Sequence, residues 1–262
     1  MRDGWAGNFS YSYFQKILET AKNSFELHLL SQIPNFLKKE PLGKSKLVFR
    51  HDIDVSLKKA LIMAEIEHKM GIRATYMVMV NSPLYSLKDK TTHRYLQKLL
   101  DMNHEIGTHF DINENERNGH LDFKKIEKRI ISACKQVEDI IRHPVLTVSF
   151  HRPIKSLIGG SLLVGGRVNA YAKELMEWYL SDGRGYWREG EPLPKLLVPK
   201  KAFLQLLIHP IWWGKKHQAP PDRLQEFFEE ETRGKKPPER ARFSSDLAKT
   251  IIMVQRKGLN SI

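Results

Sequence analysis

Between residues 46 and 150, four short apolar runs are separated by three longer amphipathic ones, and no other feature narrows the fold as far. Strands are expected at 47–49, 74–80, around 104–107 and at 145–150, with helices at 56–70, 91–101 and 123–141. Leu57, Ala60, Leu61 and Ala64 recur at helical spacing in the first helix. In the last, Phe123, Ile126, Ile130, Ala133, Val137 and Ile140 share one face, and Asp122 is a suitable N-cap. Strands that alternate with helices pair in parallel, as a sheet or a barrel. Function in such folds gathers in the loops after the strands.

The flanks are less regular. Residues 11–25 carry a helical pattern (Phe14, Ile17, Leu18, Ala21, Phe25), and 34–45 reads as a linker with Pro41 and Gly43. Beyond Phe150 a long loop is expected around Gly159-Gly160 and Gly165-Gly166, followed by a helix at 169–178 and strands at 179–181 and 203–208. Two polar helices, 222–232 and 244–257, end the chain. The resulting division is 1–45 as helix and linker, 46–215 as the α/β unit, and 216–262 as basic helices packing on it.

With 262 residues, 41% of them hydrophobic, the chain can bury one large core. No run approaches the roughly 20 apolar residues of a membrane span, and the first residues lack an apolar signal core. The single cysteine, Cys134, allows no intrachain disulfide and fits a reducing compartment. A soluble cytoplasmic protein is expected, with Cys134 packed in its helix. The net charge is +13. Residues 200–262 hold 13 Lys/Arg against 7 Asp/Glu, so the excess is spread along the chain rather than concentrated in a tail. Such a field favours anionic partners: a nucleotide-sugar, an acidic glycan, a phosphorylated lipid carrier or the inner membrane surface. Zinc-finger spacing and RNA-binding aromatic signatures are absent, so nucleic acid is not expected.

Four strand ends carry titratable residues. They are Arg50-His51-Asp52-Ile53-Asp54, His104-Glu105-Ile106-Gly107-Thr108-His109-Phe110-Asp111, Ser149-Phe150-His151-Arg152-Pro153 and Leu206-Leu207-Ile208-His209-Pro210. An Asp pair alone reads equally well as a helix cap beside a solvated turn residue. Three histidines at matching strand ends turn it into the pattern of a mixed N/O metal site at the mouth of a barrel.

These motifs resemble those of polysaccharide deacetylases of the NodB homology superfamily, carbohydrate esterase family four, and in particular a divergent branch linked to bacterial surface-polysaccharide synthesis. The resemblance covers roughly residues 45–215. Arg50-His51-Asp52-Ile53-Asp54 stands in the place of the family's Thr-Phe-Asp-Asp. His104 to His109 nearly reproduces a Gly-His-Glu-Ile-Gly-x-His run. Phe150-His151-Arg152-Pro153 is similar to an Arg-x-Pro segment, and Leu207-Ile208-His209 to a Leu-x-His motif. The resemblance implies a distorted (β/α) barrel with extra terminal helices. It also implies a metal-dependent hydrolase that removes an acetyl group from an N-acetylated sugar, using a divalent ion of the Zn²⁺ type. Asp52 then matches the base, Asp54 and His109 metal ligands, and His209 the general acid. Arg152 matches the arginine that holds the base, and Asp182 an acidic residue that orients catalytic groups, with an Asp-Gly turn as its plain alternative.

Two departures stand out. The family places a second metal histidine where this chain has Asn113. Substitutes are His151, Asp111, Asn113 itself and His120, and His151 is preferred because it ends a strand. An Ile also separates the two aspartates, which leaves the roles of Asp52 and Asp54 exchangeable. Arg184 and Trp213 are the candidates for substrate contact; Trp212 and Trp213 after His209 either stack on a sugar face or pack, with packing the preferred reading. Two rival functions remain. One is a glycosyltransferase that holds Mn²⁺ and a nucleotide-sugar through Asp52-Ile53-Asp54. The other is a sugar-binding, non-catalytic descendant of the deacetylase fold.

Overall fold

The fold was obtained as a computed structural model that describes residues 8–37, 43–112 and 122–251. The expected alternation is present: β2 (Lys46–Ile53), α3 (Leu57–Lys69), β3 (Thr75–Met79), α4 (Lys90–Asp101), β4 (Glu105–Asp111), α5 (Phe123–Ile141) and β5 (Thr147–His151). Ser56 and Asp122 cap α3 and α5 by accepting from the Lys59 and Lys125 amides. Before this core come α1 (Tyr11–Ser24), a short β1 (Glu26–His28) and α2 (Ile33–Leu37), so most of the expected linker that is described is structured. After it come β6 (Leu163–Val164), β7 (Arg167–Asn169), α6 (Lys173–Met176), β8 (Tyr179–Ser181), α7 (Pro192–Leu197), β9 (Phe203–Ile208), α8 (Pro220–Thr232) and α9 (Pro237–Thr250).

Three sequence expectations change here. The Gly-rich loop contains the β6–β7 hairpin, and β7 pairs in parallel with β5. The helix expected at 169–178 is one turn, because Asn169 ends β7. The last helix starts seven residues earlier than expected, at Pro237, with Pro at its first turn; its expected end falls outside the described residues. Asn113 and His120 also lie outside them. No helix among the described residues is long and apolar enough to cross a membrane.

The described strands form one curled sheet in the order β6-β7-β5-β4-β3-β2-β9-β8, parallel except for β6–β7, with β1 also paired to β2. The helix-covered face holds the main core. There Phe14 of α1 meets Trp213, and Ile17 and Leu18 of α1 and Ile126, Ile130 and Cys134 of α5 are buried. Burial pushes the Cys134 thiol pKa up, as befits a packed thiol. His51 and His104 also belong to this face, around the buried carboxylate of Glu67. His51 Nε2 lies 2.7 Å from Oε1, the Tyr76 hydroxyl donates to Oε2 at 2.6 Å, and His104 Nδ1 is 3.7 Å away. Burial alone would raise the Glu67 pKa, but His51, with His104 and Tyr76, outweighs it and holds the carboxylate below its usual range.

The opposite, concave face is floored by a smaller cluster that includes Leu30, Ile33, Val48, Met77, Val168 and Leu175. Gly107 sits in this floor, two residues before His109 and therefore on the same side of β4. A Cβ there would run into Thr147 Oγ1 and Met77 Sδ. Gly107→Ala is expected to cost about 1–3 kcal/mol through overpacking, read as a lowered urea midpoint at unchanged slope; an unchanged midpoint would show that the floor has slack.

Candidate active site

The strand expected to stop at Phe49 continues to Ile53, hydrogen-bonded to β9 through His51 and to β3 through Ile53. Polar residues thus occupy a central strand, and its period of two sorts them. His51 points to the helices. Arg50 and Asp52 point to the concave face, where they form a buried bidentate pair, Nε to Oδ1 at 2.8 Å and Nη2 to Oδ2 at 2.6 Å. The guanidinium also lies 4.5 Å from the Tyr171 ring centroid. Burial would raise the Asp52 pKa, yet the charges of Arg50 and His109 and the Arg50 hydrogen bonds hold it below the usual carboxylate range.

One step further along, Asp54, His109 and His151 converge, with their ligand atoms all within 4.8 Å of one another. Asp54 Oδ1 is 3.0 Å from His109 Nε2 and 3.2 Å from His151 Nδ1. The register explains this: β4 and β5 pair His109 with Ser149 and Asp111 with His151, so both imidazoles stand at neighbouring strand ends. Ser149 Oγ lies 2.6 Å from His109 Nδ1, orienting the ring so that Nε2 faces Asp54. Two imidazoles and a carboxylate make a donor set that suits a divalent ion of the Zn²⁺ class, so the residues present fit such an ion. Burial would raise the Asp54 pKa, but His151 and His109 hold it well below the usual range, so the carboxylate is ionised as a ligand must be.

Facing them, Asp182 is fully buried and accepts from His209 Nδ1 at 2.7 Å, the His209 amide at 2.9 Å and Trp213 Nε1 at 2.9 Å. These bonds point His209 Nε2 toward Asp54, 3.9 Å from Oδ2. Burial would lower the His209 pKa; the hydrogen bond and charge of Asp182, with Asp54 and Asp52, overcome it and raise the value to about 9. Asp52, Asp54, His109, His151 and His209 line a cavity of about 600 Å³, bordered also by Tyr171, Tyr179, Arg184, Arg188 and Trp212.

Two sequence expectations are corrected. The arginine that grips Asp52 is Arg50, not Arg152. Arg152 turns off the strand with φ 47° and reaches the Lys249 carbonyl at 3.2 Å and Asp111 at 4.0 Å. Trp213 offers no stacking face: it is fully buried against Phe9, Phe14 and Trp187, its indole N–H holds Asp182, and Trp212 borders the cavity instead. Arg184 does border the cavity. Sequence reasoning missed Arg50, Ser149 and Tyr171. For Arg50 the signal was available, since residues two apart on a strand share a face.

No protein-family model and no curated protein sequence matches the chain. Solved structures do. The CE4 family pseudoenzyme BA3943 from Bacillus anthracis is 15% identical over 73% of this chain, with a TM-score of 0.41. This chain spans only 63% of that protein, and 65% of a BA3943 mutant with restored enzymatic activity. The Streptococcus pyogenes deacetylase PplD, in complex with acetate, is 11% identical over 82% of this chain and 85% of its own, with a TM-score of 0.44. A family 4 acetyl xylan esterase from Clostridium thermocellum is 12% identical over 72% of this chain and 84% of its own, with a TM-score of 0.38. The chain is therefore similar in structure, at low identity, to CE4 family deacetylases and pseudoenzymes.

Proposed function

We propose that this chain is a metal-dependent hydrolase that removes the acetyl group from an N-acetylated sugar, a precursor of a surface glycan. The observation that supports this most directly is the convergence of Asp54, His109 and His151 between an Arg-held aspartate and an Asp-held histidine. Those three residues would hold a Zn²⁺-type ion, which when bound would supply an activated water and polarise a carbonyl oxygen. Asp52, kept ionised and aimed by Arg50, accepts the proton of the attacking water. His209, fixed through Nδ1 by Asp182, donates a proton from Nε2 to the departing amine as the C–N bond breaks, leaving acetate and a free amino sugar. His151 stands with Asp54 and His109 as a three-residue donor set, which supports the catalytic reading over the non-catalytic one. The glycosyltransferase alternative needs two carboxylates free to share an ion, whereas Arg50 occupies both oxygens of Asp52.

The test is acetate release from N-acetylhexosamine derivatives by Zn²⁺-loaded protein. Release that stops on chelation and returns on adding Zn²⁺ is the expected result, with an Asp182→Asn variant slower by about 10²–10⁴-fold. No acetate from any N-acetylated sugar derivative would overturn the reading.

A further inference from the structure

We propose that the cavity carries, beside its hydrolytic centre, a phosphate subsite formed by Arg184 and Arg188, so that the acylated sugar is a sugar phosphate or diphosphate. This deepens the hydrolase reading and rests on it for the identity of the sugar. Removing an acetyl group from a neutral amide calls for no fixed cation on the cavity wall, yet both arginines line the cavity that holds Asp54, His109 and His151. Both are exposed, and no acidic side chain of the described residues forms an ion pair with either. The same wall carries Glu189, whose Oε2 accepts from the Ser181 amide at 3.3 Å instead of pairing with either arginine.

The backbone adds a second, independent observation. Four non-glycine residues of the described chain have positive φ: Asn103, Arg142, Arg152 and Arg184. Asn103 and Arg142 lie just after α4 and α5, where a left-handed residue closes a helix. Arg152 and Arg184 have no such reason. They follow the ends of β5 and β8, and both line the cavity. A left-handed conformation costs energy in a side chain with a Cβ, and such strain is retained where position matters for function. The turn that presents Arg184 is held at both ends. Asp182 before it is bound to His209 and Trp213, and a Cβ on Gly185 after it would strike Pro220. Arg184 is thus displayed from a braced turn two residues from the group that holds the general acid.

The chemistry of two guanidinium groups favours phosphate. Each offers a planar fork of donors matched to oxyanions. A phosphate carries up to two charges on several acceptor oxygens and can answer both arginines, whereas one carboxylate has a single charge to share. The net charge of +13 would draw such an anion toward the cavity.

Binding of N-acetylglucosamine 1-phosphate and of the uncharged methyl glycoside of N-acetylglucosamine to Zn²⁺-loaded protein, measured by calorimetry, tests the proposal. The phosphate ester is expected to bind about tenfold or more tightly than the glycoside. The double substitution Arg184→Gln/Arg188→Gln should remove most of that advantage. Equal affinity for the two sugars, or an advantage that survives both substitutions, overturns the subsite; the second result would assign the phosphate to the metal. Acetate release in the same samples reports separately on hydrolysis. Arginine-dependent phosphate binding without acetate overturns the hydrolase and supports the subsite, while equal acetate release from both sugars by wild type and variant does the reverse. UDP-N-acetylglucosamine and a short-chain prenyl diphosphate N-acetylglucosamine, compared in the same assay, distinguish a nucleotide-linked from a lipid-linked source of the phosphate.

Discussion

Asp54→Ala and His109→Ala proteins are expected to lose stoichiometric Zn²⁺ and to fall about a thousandfold or more in acetate release, while still melting cooperatively. Asp54 is the residue that joins the site. One of its oxygens lies within 3.2 Å of both His109 and His151, and the other faces His209 at 3.9 Å. Removing it leaves two imidazoles, which hold a divalent ion weakly. Removing His109 leaves one imidazole and one carboxylate. Metal analysis on dialysed proteins, beside the wild type, reads the effect directly. Equal metal content in the three proteins would remove the metal centre from the mechanism, whatever happened to activity.

Arg50→Met is expected to destabilise the fold by about 3–5 kcal/mol, because it strands the Asp52 carboxylate, 2% exposed, without its cation. The double variant Arg50→Met/Asp52→Leu should regain most of that loss, since an apolar pair of similar volume replaces a buried ion pair at little net cost. Neither variant should release acetate. Urea denaturation followed by circular dichroism separates the two effects. A single variant as stable as the wild type would mean that Asp52 takes up a proton or finds another partner, and that Arg50 is not its structural counter-ion. Stability regained without activity would show that the pair is kept for chemistry rather than for the fold.

The α/β alternation was legible because its signals are local. The helices at 57–69, 90–101 and 123–141 bury stripes visible in the sequence, two of them with side-chain caps at Ser56 and Asp122. Strand lengths were less so. Apolarity marks the part of a strand buried in core, so β2 was expected to stop at Phe49 and β4 near Gly107. In both cases the strand continues with polar side chains, because the backbone ladder to neighbouring strands persists where the concave face turns from apolar floor to polar site. Single-turn α6 and the short β6 and β7 left no periodicity to detect.

The candidate site divides along the same line. By itself the sequence determined which residues could do the chemistry: Asp52, Asp54, His109, His151, Asp182 and His209 are legible as strand-end groups and through the family resemblance. Only the tertiary structure decided how they pair. It chose Arg50 over Arg152 as the partner of Asp52, brought His151 to Asp54 and His109, and gave Trp213 to Asp182 rather than to a substrate. Residue type and spacing set what a side chain is able to bind. Strand register and the direction in which the backbone leaves each strand set what it meets, and those depend on partners distant in the chain, as where Lys46 of β2 pairs with Phe203 of β9.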